Sequence, residues 1–209
     1  MARVIGAVCR LCRAEGTKLF LKGTRCYSAK CAVERKTMAP GMHGRQRAFS
    51  QSDYKVQLRE KQKAKRIAGI LENQFRLYFK KADQMKGLTG ENLLRLLEMR
   101  LDNIVFRMGF ASSRSQGRQL VGHGGVTVNG KRVNIPSYIV KVGDKIAIKE
   151  KYKQNVFVQA GMKVAGEKGV PAWLTLDKNA VAGAVNKMPE RSELSYPVQE
   201  QLIVELYSK

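Results

Sequence analysis

"SSRSQGRQLVGHGGVTVNGKRVNI", residues 112–135, decides the architecture of the chain. Ser112 or Ser113 caps a short helix, and Gly122, Gly124 and Gly125 close it. Two strands then follow around the Asn129-Gly130 pair, which favours the positive φ angles of a tight hairpin turn. A helix running straight into a hairpin predicts an α+β unit with a small antiparallel sheet. The same stretch holds Arg114, Arg118, His123, Lys131 and Arg132 and no acid. Arg114 and Arg118 share a helix face, and Lys131 and Arg132 stand at the hairpin tip. Face and tip together predict a concave cationic surface whose forked guanidiniums suit phosphate, and His123 either contacts the same ligand from the helix end or caps the helix.

The flanking segments extend this unit. "GENLLRLLEMRLDNIVFRMGF", residues 90–110, has apolar residues at three- and four-residue steps and predicts one helix, opened by Thr89 and Glu91 and ended by Gly109. It carries Arg107, a further candidate phosphate contact. "YIVKVGDKIAI", residues 138–148, reads as a second strand pair, and "AWLTLDKNAVAGAV", residues 172–185, as two strands carrying Trp173. Near the C-terminus "QEQLIVELY", residues 199–207, has helical period. Upstream, "IAGILENQFRLYFKKADQM", residues 67–85, continues a helix with Ile70, Leu71, Phe75 and Tyr78 on its apolar face.

The formal net charge is +22 over 209 residues, with 39 Lys+Arg against 17 Asp+Glu. A balance this basic implies a polyanionic partner, nucleic acid before an anionic membrane surface. Apolar residues make up 44% of the chain, enough to build a core. No apolar run approaches the roughly 18 residues of a membrane span, and the N-terminus lacks the apolar region of a secretory signal, so cytoplasm is expected. Residues 1–66 hold 17 Lys+Arg and 4 Asp+Glu, the most intense part of the footprint. Ser52 caps a helix there with Asp53 in its first turn. Within it "YKVQLREKQKAKR", residues 54–66, has six basic residues and one acid, Glu60. Like charges at helical spacing repel, so an unneutralised stripe through Lys55, Arg59, Gln62 and Arg66 predicts a phosphate track, with Lys63 a further candidate contact. The turn-rich bridge "MAPGMHGRQRAFSQSD", residues 38–53, adds Arg45 and Arg47, and His43 reads as a loop residue rather than a catalyst.

Cys9, Cys12, Cys26 and Cys31 all sit in "CRLCRAEGTKLFLKGTRCYSAKC", residues 9–31. The spacing is C-x2-C, a thirteen-residue linker, then C-x4-C, which suits a closed, structural four-thiolate site. Zinc is the expected occupant, and an iron–sulfur cluster uses the same ligand set. A reducing cytosol disfavours two disulfides instead. Neighbouring Arg10, Arg13, Lys22, Arg25 and Lys30 are expected to lower the thiol pKa values.

No phosphate-binding glycine loop, no zinc-peptidase motif and no plausible triad occurs, so an enzyme is not expected. A zinc-dependent DNA regulator would need a base-reading helix and a dimer face, and neither is evident; a homo-oligomer is not expected.

"RLDNIVFRMGFASSRSQGRQLVGHGGVTVNGKRVNIPSYIVKVGDKI", residues 100–146, resembles the RNA-binding module named after small-subunit ribosomal protein S-four. "GTKLFLK", "PGMHG", "SDYKVQLREKQKAKR", "TGENLLRLLEMRLDN" and the terminal "LIVELYSK" resemble that ribosomal family in colinear order, so the likeness spans the chain. The cysteines match its metal-binding version. The resemblance implies an α+β fold: a basic metal-binding extension over residues 1–45, a helical domain over 46–93 plus 190–209, and an inserted RNA-binding module over 94–189. It implies binding to the 5′ domain of small-subunit ribosomal RNA at a junction of helices, early in subunit assembly. It also implies ribosomal proteins S-three and S-five as neighbours, proximity to messenger RNA where it enters the subunit, and repression of its own operon in some members. The shared module also occurs in RNA-modifying enzymes, but those carry a separate catalytic domain, for which no uncommitted segment remains.

Overall fold

Gly69 and Arg100 break two runs that hydropathy alone reads as continuous helices. The computed structural model describes residues 5–36, 38–44, 52–194 and 196–208. The chain clusters into two units, Met1–Leu93 with Tyr196–Lys209, and Leu94–Ser195. The cysteine extension clusters with the first unit, and residues 190–194, assigned from sequence to the helical domain, cluster with the second.

In the first unit α1 (Val8–Glu15) ends on Gly16 in the left-handed conformation, and a 3-10 turn (Gly23–Tyr27) and α2 (Ala32–Arg35) follow. Ser52 caps α3 (Asp53–Ala68), its side chain accepting from the Lys55 N–H at 3.4 Å. Gly69 adopts φ 66° and ends α3, so residues 67–85 do not form one helix with it; α4 (Glu72–Asp83) starts afresh. Ile67, Ile70, Phe75, Tyr78 and Ala82 are buried there. The C-terminal helix, Glu200–Tyr207, returns to this unit.

The run expected as one helix over residues 90–110 is two. After α5 (Thr89–Glu98), Arg100 takes extended dihedrals and bridges Ile139, and α6 (Leu101–Arg107) follows. Leu101 N–H donates to the Tyr138 carbonyl at 2.8 Å and Val140 N–H to the Met99 carbonyl at 2.9 Å. Residues 138–140, read from sequence as a strand of a second pair, therefore satisfy the helix break instead. Ser113 caps α7 (Arg114–Gly122), accepting from Gln116 N–H. Gly117 makes the α6–α7 crossing close: a Cβ there would stand 2.7 Å from the Asp102 carbonyl oxygen.

β1 (Val126–Val128), β2 (Lys131–Arg132) and β3 (Lys145–Ile148) lead to α8 (Glu150–Lys153) and α9 (Val156–Lys168). β4 (Leu174–Asp177) and β5 (Ala182–Val185) complete an antiparallel sheet of order β2-β1-β3-β5-β4. Val126 pairs with Ile148, Lys145 with Ala184 and Leu174 with Val185. Its inner face meets α6 and α7 over a core of Leu101, Ile104, Val105, Met108, Val121, Val126, Ile146 and Trp173. α10 (Glu200–Tyr207) then packs on α3: Gln57 Nε2 donates to Glu205 Oε2 at 2.9 Å, and Gln199 N–H donates to Glu60 Oε2 at 3.1 Å.

Candidate nucleic-acid interface

The arginines of α6 and α7 do not stand alone. Glu98, at the last turn of α5, is fully buried and receives Arg107 through Nε at 3.0 Å and Nη2 at 2.7 Å. Arg114 Nη2 lies 3.8 Å from the same carboxylate, and Arg114 Nε donates to Asn103 Oδ1 at 2.7 Å. Asn103 Nδ2 donates to the Glu98 carbonyl at 3.0 Å and to the carboxylate. The Arg114 guanidinium stacks 4.8 Å from the Phe106 ring centroid. Burial pushes the Glu98 carboxyl up, but the charges and hydrogen bonds of Arg107, Arg114 and Asn103 prevail, and its pKa lies below the ordinary value. Asp102 accepts from Arg100 at 3.0 Å and 2.6 Å, and Arg118 stands 3.9 Å from it.

Four guanidiniums thus sit on two carboxylates, which leaves a net positive edge whose members are held in place. The acids come from α5 and α6, outside the acid-free segment that drew attention in the sequence. A signal for them was present: Glu98 and Asp102 are acids four apart, set among Leu96, Leu97, Met99, Leu101 and Ile104.

Lys131 and Arg132 are exposed on β2, one of the two edge strands of the sheet. Gly124 has φ 70°, and a Cβ on it would lie 2.3 Å from Arg132 Nε, so the arginine lies directly over the glycine backbone. His123, exposed at the end of α7, has its carbonyl held by the Tyr152 hydroxyl at 3.3 Å. Helix end, hairpin tip and α8 therefore meet in one place. Asn103 and Tyr152 were not singled out from sequence, and Gly124 was read only as part of the helix stop, because the role of each lies in a contact with another element.

The α3 stripe differs from its expectation. Lys55 is exposed, but Arg59 lies 3.5 Å from Glu15, Arg66 pairs with Glu15, and Lys63 pairs with Glu60. Lys61 and Lys65 bind Glu72 at 2.8 Å and 2.9 Å. Three carboxylates of its own unit thus stand beside five of these cations, so the stripe is partly neutralised. Glu15 is buried; burial pushes its carboxyl up against the pull of Arg59 and Arg66. Burial likewise acts on Glu72, but the two lysines hold it at about 2. Arg45 and Arg47 lie outside the described residues.

Cys12, Cys26 and Cys31 are buried and Cys9 half-buried, all as free thiols. Among the described residues they do not assemble into a group of three or more ligating side chains. Lys22 N–H donates to Cys26 Sγ at 3.3 Å. Burial pushes the Cys12 thiol up, and Cys26, Cys9 and Cys31 add to the rise. For Cys12 this reverses the lowering expected from the neighbouring cations. No described helix is long and apolar enough to cross a membrane.

A held, net-positive helix edge beside an exposed cationic hairpin defines a nucleic-acid-binding protein. The second unit carries the match to the family described as S4 domain, over residues 99–146, and residues 3–98 match Ribosomal protein S4/S9 N-terminal domain. The chain is similar along its whole length to small ribosomal subunit protein uS4 of Natranaerobius thermophilus and of Geotalea daltonii. Each is 58% identical over 209 residues, covering 100% of both chains. The same protein of Thermodesulfovibrio yellowstonii is 56% identical over the same span. The chain belongs to the uS4 family of small ribosomal subunit proteins.

Proposed function

We propose that this chain is a structural, non-enzymatic constituent of the small ribosomal subunit in the cytoplasm, where it binds small-subunit ribosomal RNA. The observation that carries this reading is the full-length likeness to the uS4 proteins, with the S4 domain match falling on the unit that holds the Glu98–arginine edge and the β2 cations. Double-stranded RNA has a deep, narrow major groove, so recognition runs through phosphates, 2′-hydroxyls and shape. An edge whose guanidiniums are fixed by buried carboxylates fits that task, because little side-chain freedom remains to be lost on binding.

The finer reading follows the same line. The RNA site is the 5′ domain, at a junction of several helices, bound early in assembly. Ribosomal proteins S-three and S-five are neighbours, Arg45 and Arg47 lie toward messenger RNA where it enters the subunit, and the free protein represses its own operon. Zinc is bound by Cys9, Cys12, Cys26 and Cys31, with an iron–sulfur cluster as the alternative. The cysteine spacing, the burial of three thiols and the N–H donor on Cys26 support that site. A bound ion of this kind would hold the extension together without taking part in chemistry.

Reconstitution tests the role. Small subunits assembled from purified ribosomal RNA and all proteins except this family member should stall as incomplete particles, and adding this chain should restore full-sized subunits containing it. Failure of the chain to enter the particle would contradict the proposal.

A further inference from the structure

The hairpin tip carries an asparagine followed by glycine. Of the eight asparagines in the chain only Asn129 precedes Gly; the others precede Gln, Leu, Ile, Val, Ala or Lys. An asparagine in this position is prone to deamidate, because a residue without a side chain leaves its backbone nitrogen open for attack on the neighbouring carboxamide. Asn129 and Gly130 are both exposed, with φ of 50° and 78°. Among the described residues nothing accepts the Gly130 N–H, so the nucleophile is free.

The carboxamide it would attack is held. Asn129 Nδ2 donates to Asp144 Oδ1 at 2.8 Å, and Asn129 Oδ1 accepts from the Lys145 N–H at 2.9 Å. Asp144 is itself fixed, its Oδ2 accepting from the Lys141 N–H at 2.8 Å. The Asn129 N–H donates to the Lys145 carbonyl at 2.8 Å, so backbone and side chain are both tied to the start of β3. Attack needs the carboxamide carbon to turn toward the Gly130 nitrogen, and the bonds to Asp144 and Lys145 must open first.

We propose that Asn129 is a deamidation site kept closed by Asp144, and that its conversion to an acid withdraws the hairpin tip from RNA. In the first step the Gly130 nitrogen bonds to Asn129 Cγ and gives up its proton, the Cγ–Nδ2 bond breaks, and ammonia leaves with that proton. Water then opens the cyclic imide at either carbonyl, which leaves aspartate or isoaspartate. Aspartate sets a second carboxylate against Asp144 where a donor stood, and two carboxylates that close repel. Isoaspartate inserts a carbon into the main chain of a tight turn, so the pairing of Val128 with Lys131 is lost. Either product adds negative charge beside Lys131 and Arg132. Withdrawal from RNA rests on the RNA-binding reading above; the closed site does not.

The test uses the full chain in mildly alkaline buffer, with the products at Asn129 separated and quantified by peptide mass spectrometry. A hydrogen bond to a charged group favours the closed form by about tenfold or more. Asp144→Ala should therefore deamidate about ten times faster than the native chain. Gly117→Ala strains the α6–α7 crossing and leaves Asp144 untouched, so it separates local release from general unfolding, and its rate should stay near the native one. Equal rates for the native chain and Asp144→Ala, or equal acceleration in Gly117→Ala, would overturn the closed site. Asp144→Ala also frees the Lys141 N–H, so Asp144→Asn is measured beside it. Its amide keeps the shape but offers one acceptor to two donors, and a rate between those of the native chain and Asp144→Ala is expected; a native rate would count against the grip. RNA affinity is then measured over a salt series for Asn129→Asp, the acid product, and for Asn129→Gly, which drops the side chain without adding charge. Each lost phosphate contact lowers the log–log salt slope by about 0.7–0.9, so Asn129→Asp should lose about one such step and about tenfold in affinity, and Asn129→Gly less than half of either. Equal affinities for the native chain and Asn129→Asp would overturn the withdrawal from RNA. A native chain that does not prefer ribosomal RNA over a DNA duplex would refute the RNA reading itself, an outcome distinct from the deamidation rates, which are measured without RNA.

Discussion

Replacing Glu98 with Gln removes the buried carboxylate on which Arg107 and Arg114 converge. The carboxylate is fully buried, and the two guanidiniums are only 15% and 14% exposed. Glu98→Gln keeps the shape but leaves two nearly buried cations without their counter-charge. Removing one member of a buried pair costs about 3–5 kcal/mol. At about 2–4 °C per kcal/mol for a chain of this length, the midpoint of thermal unfolding should fall by at least ~6 °C. Circular dichroism melts and urea titrations of the full chain measure it. A double-mutant cycle with Arg107→Gln gives the pair's own share, and coupling of about 1–3 kcal/mol is expected for groups in one network. Because the folded-state pKa of Glu98 lies below the ordinary ~4.3, its contribution is complete above that value and is lost as pH falls beneath it. The Gln variant should therefore lose less stability than the native chain when pH drops from 5 to 3. A loss under ~1 kcal/mol at neutral pH, or an unchanged acid profile, would refute the claim that Glu98 holds the cationic edge.

Other consequences are open to direct measurement. Glu72 is held at about 2 by Lys61 and Lys65, so the first unit should lose stability as pH falls from ~4.3 toward that value, and Glu72→Gln should flatten this part of the urea profile. Gly117→Ala places a methyl 2.7 Å from the Asp102 carbonyl oxygen and should cost about 1–3 kcal/mol by forcing α6 and α7 apart, read as a lower urea midpoint with unchanged slope. Cys9→Ser with Cys12→Ser should abolish metal found by elemental analysis while leaving RNA affinity within about tenfold; a larger loss would make the extension's fold essential to recognition.

The sheet strands flanking the Asn129-Gly130 turn, the strands around Trp173 and the C-terminal helix were legible in the sequence because each is fixed by local turn chemistry or period. The breaks at Gly69 and Arg100 were not. Gly69 lies inside a run with helical period, and Arg100 is pulled out of helical geometry by residues 138–140, a contact that no window of sequence contains. The same reason limits the reading of the site. Residue type and spacing singled out Arg107, Arg114, Arg118, Lys131 and Arg132 as candidates, but not the carboxylates that hold the first three. The α3 stripe looked unneutralised because Glu15 and Glu72 lie outside the quoted segment.

Selective binding of ribosomal RNA is the property from which the other roles follow. The purified chain should be titrated against the transcribed 5′ domain of small-subunit ribosomal RNA, an unrelated structured RNA of equal length and a DNA duplex, over one salt series. A preference for the 5′ domain that persists at high salt is the predicted result. Equal affinities that vanish together as salt rises would reduce the +22 charge to a general attraction for polyanions and contradict the assignment.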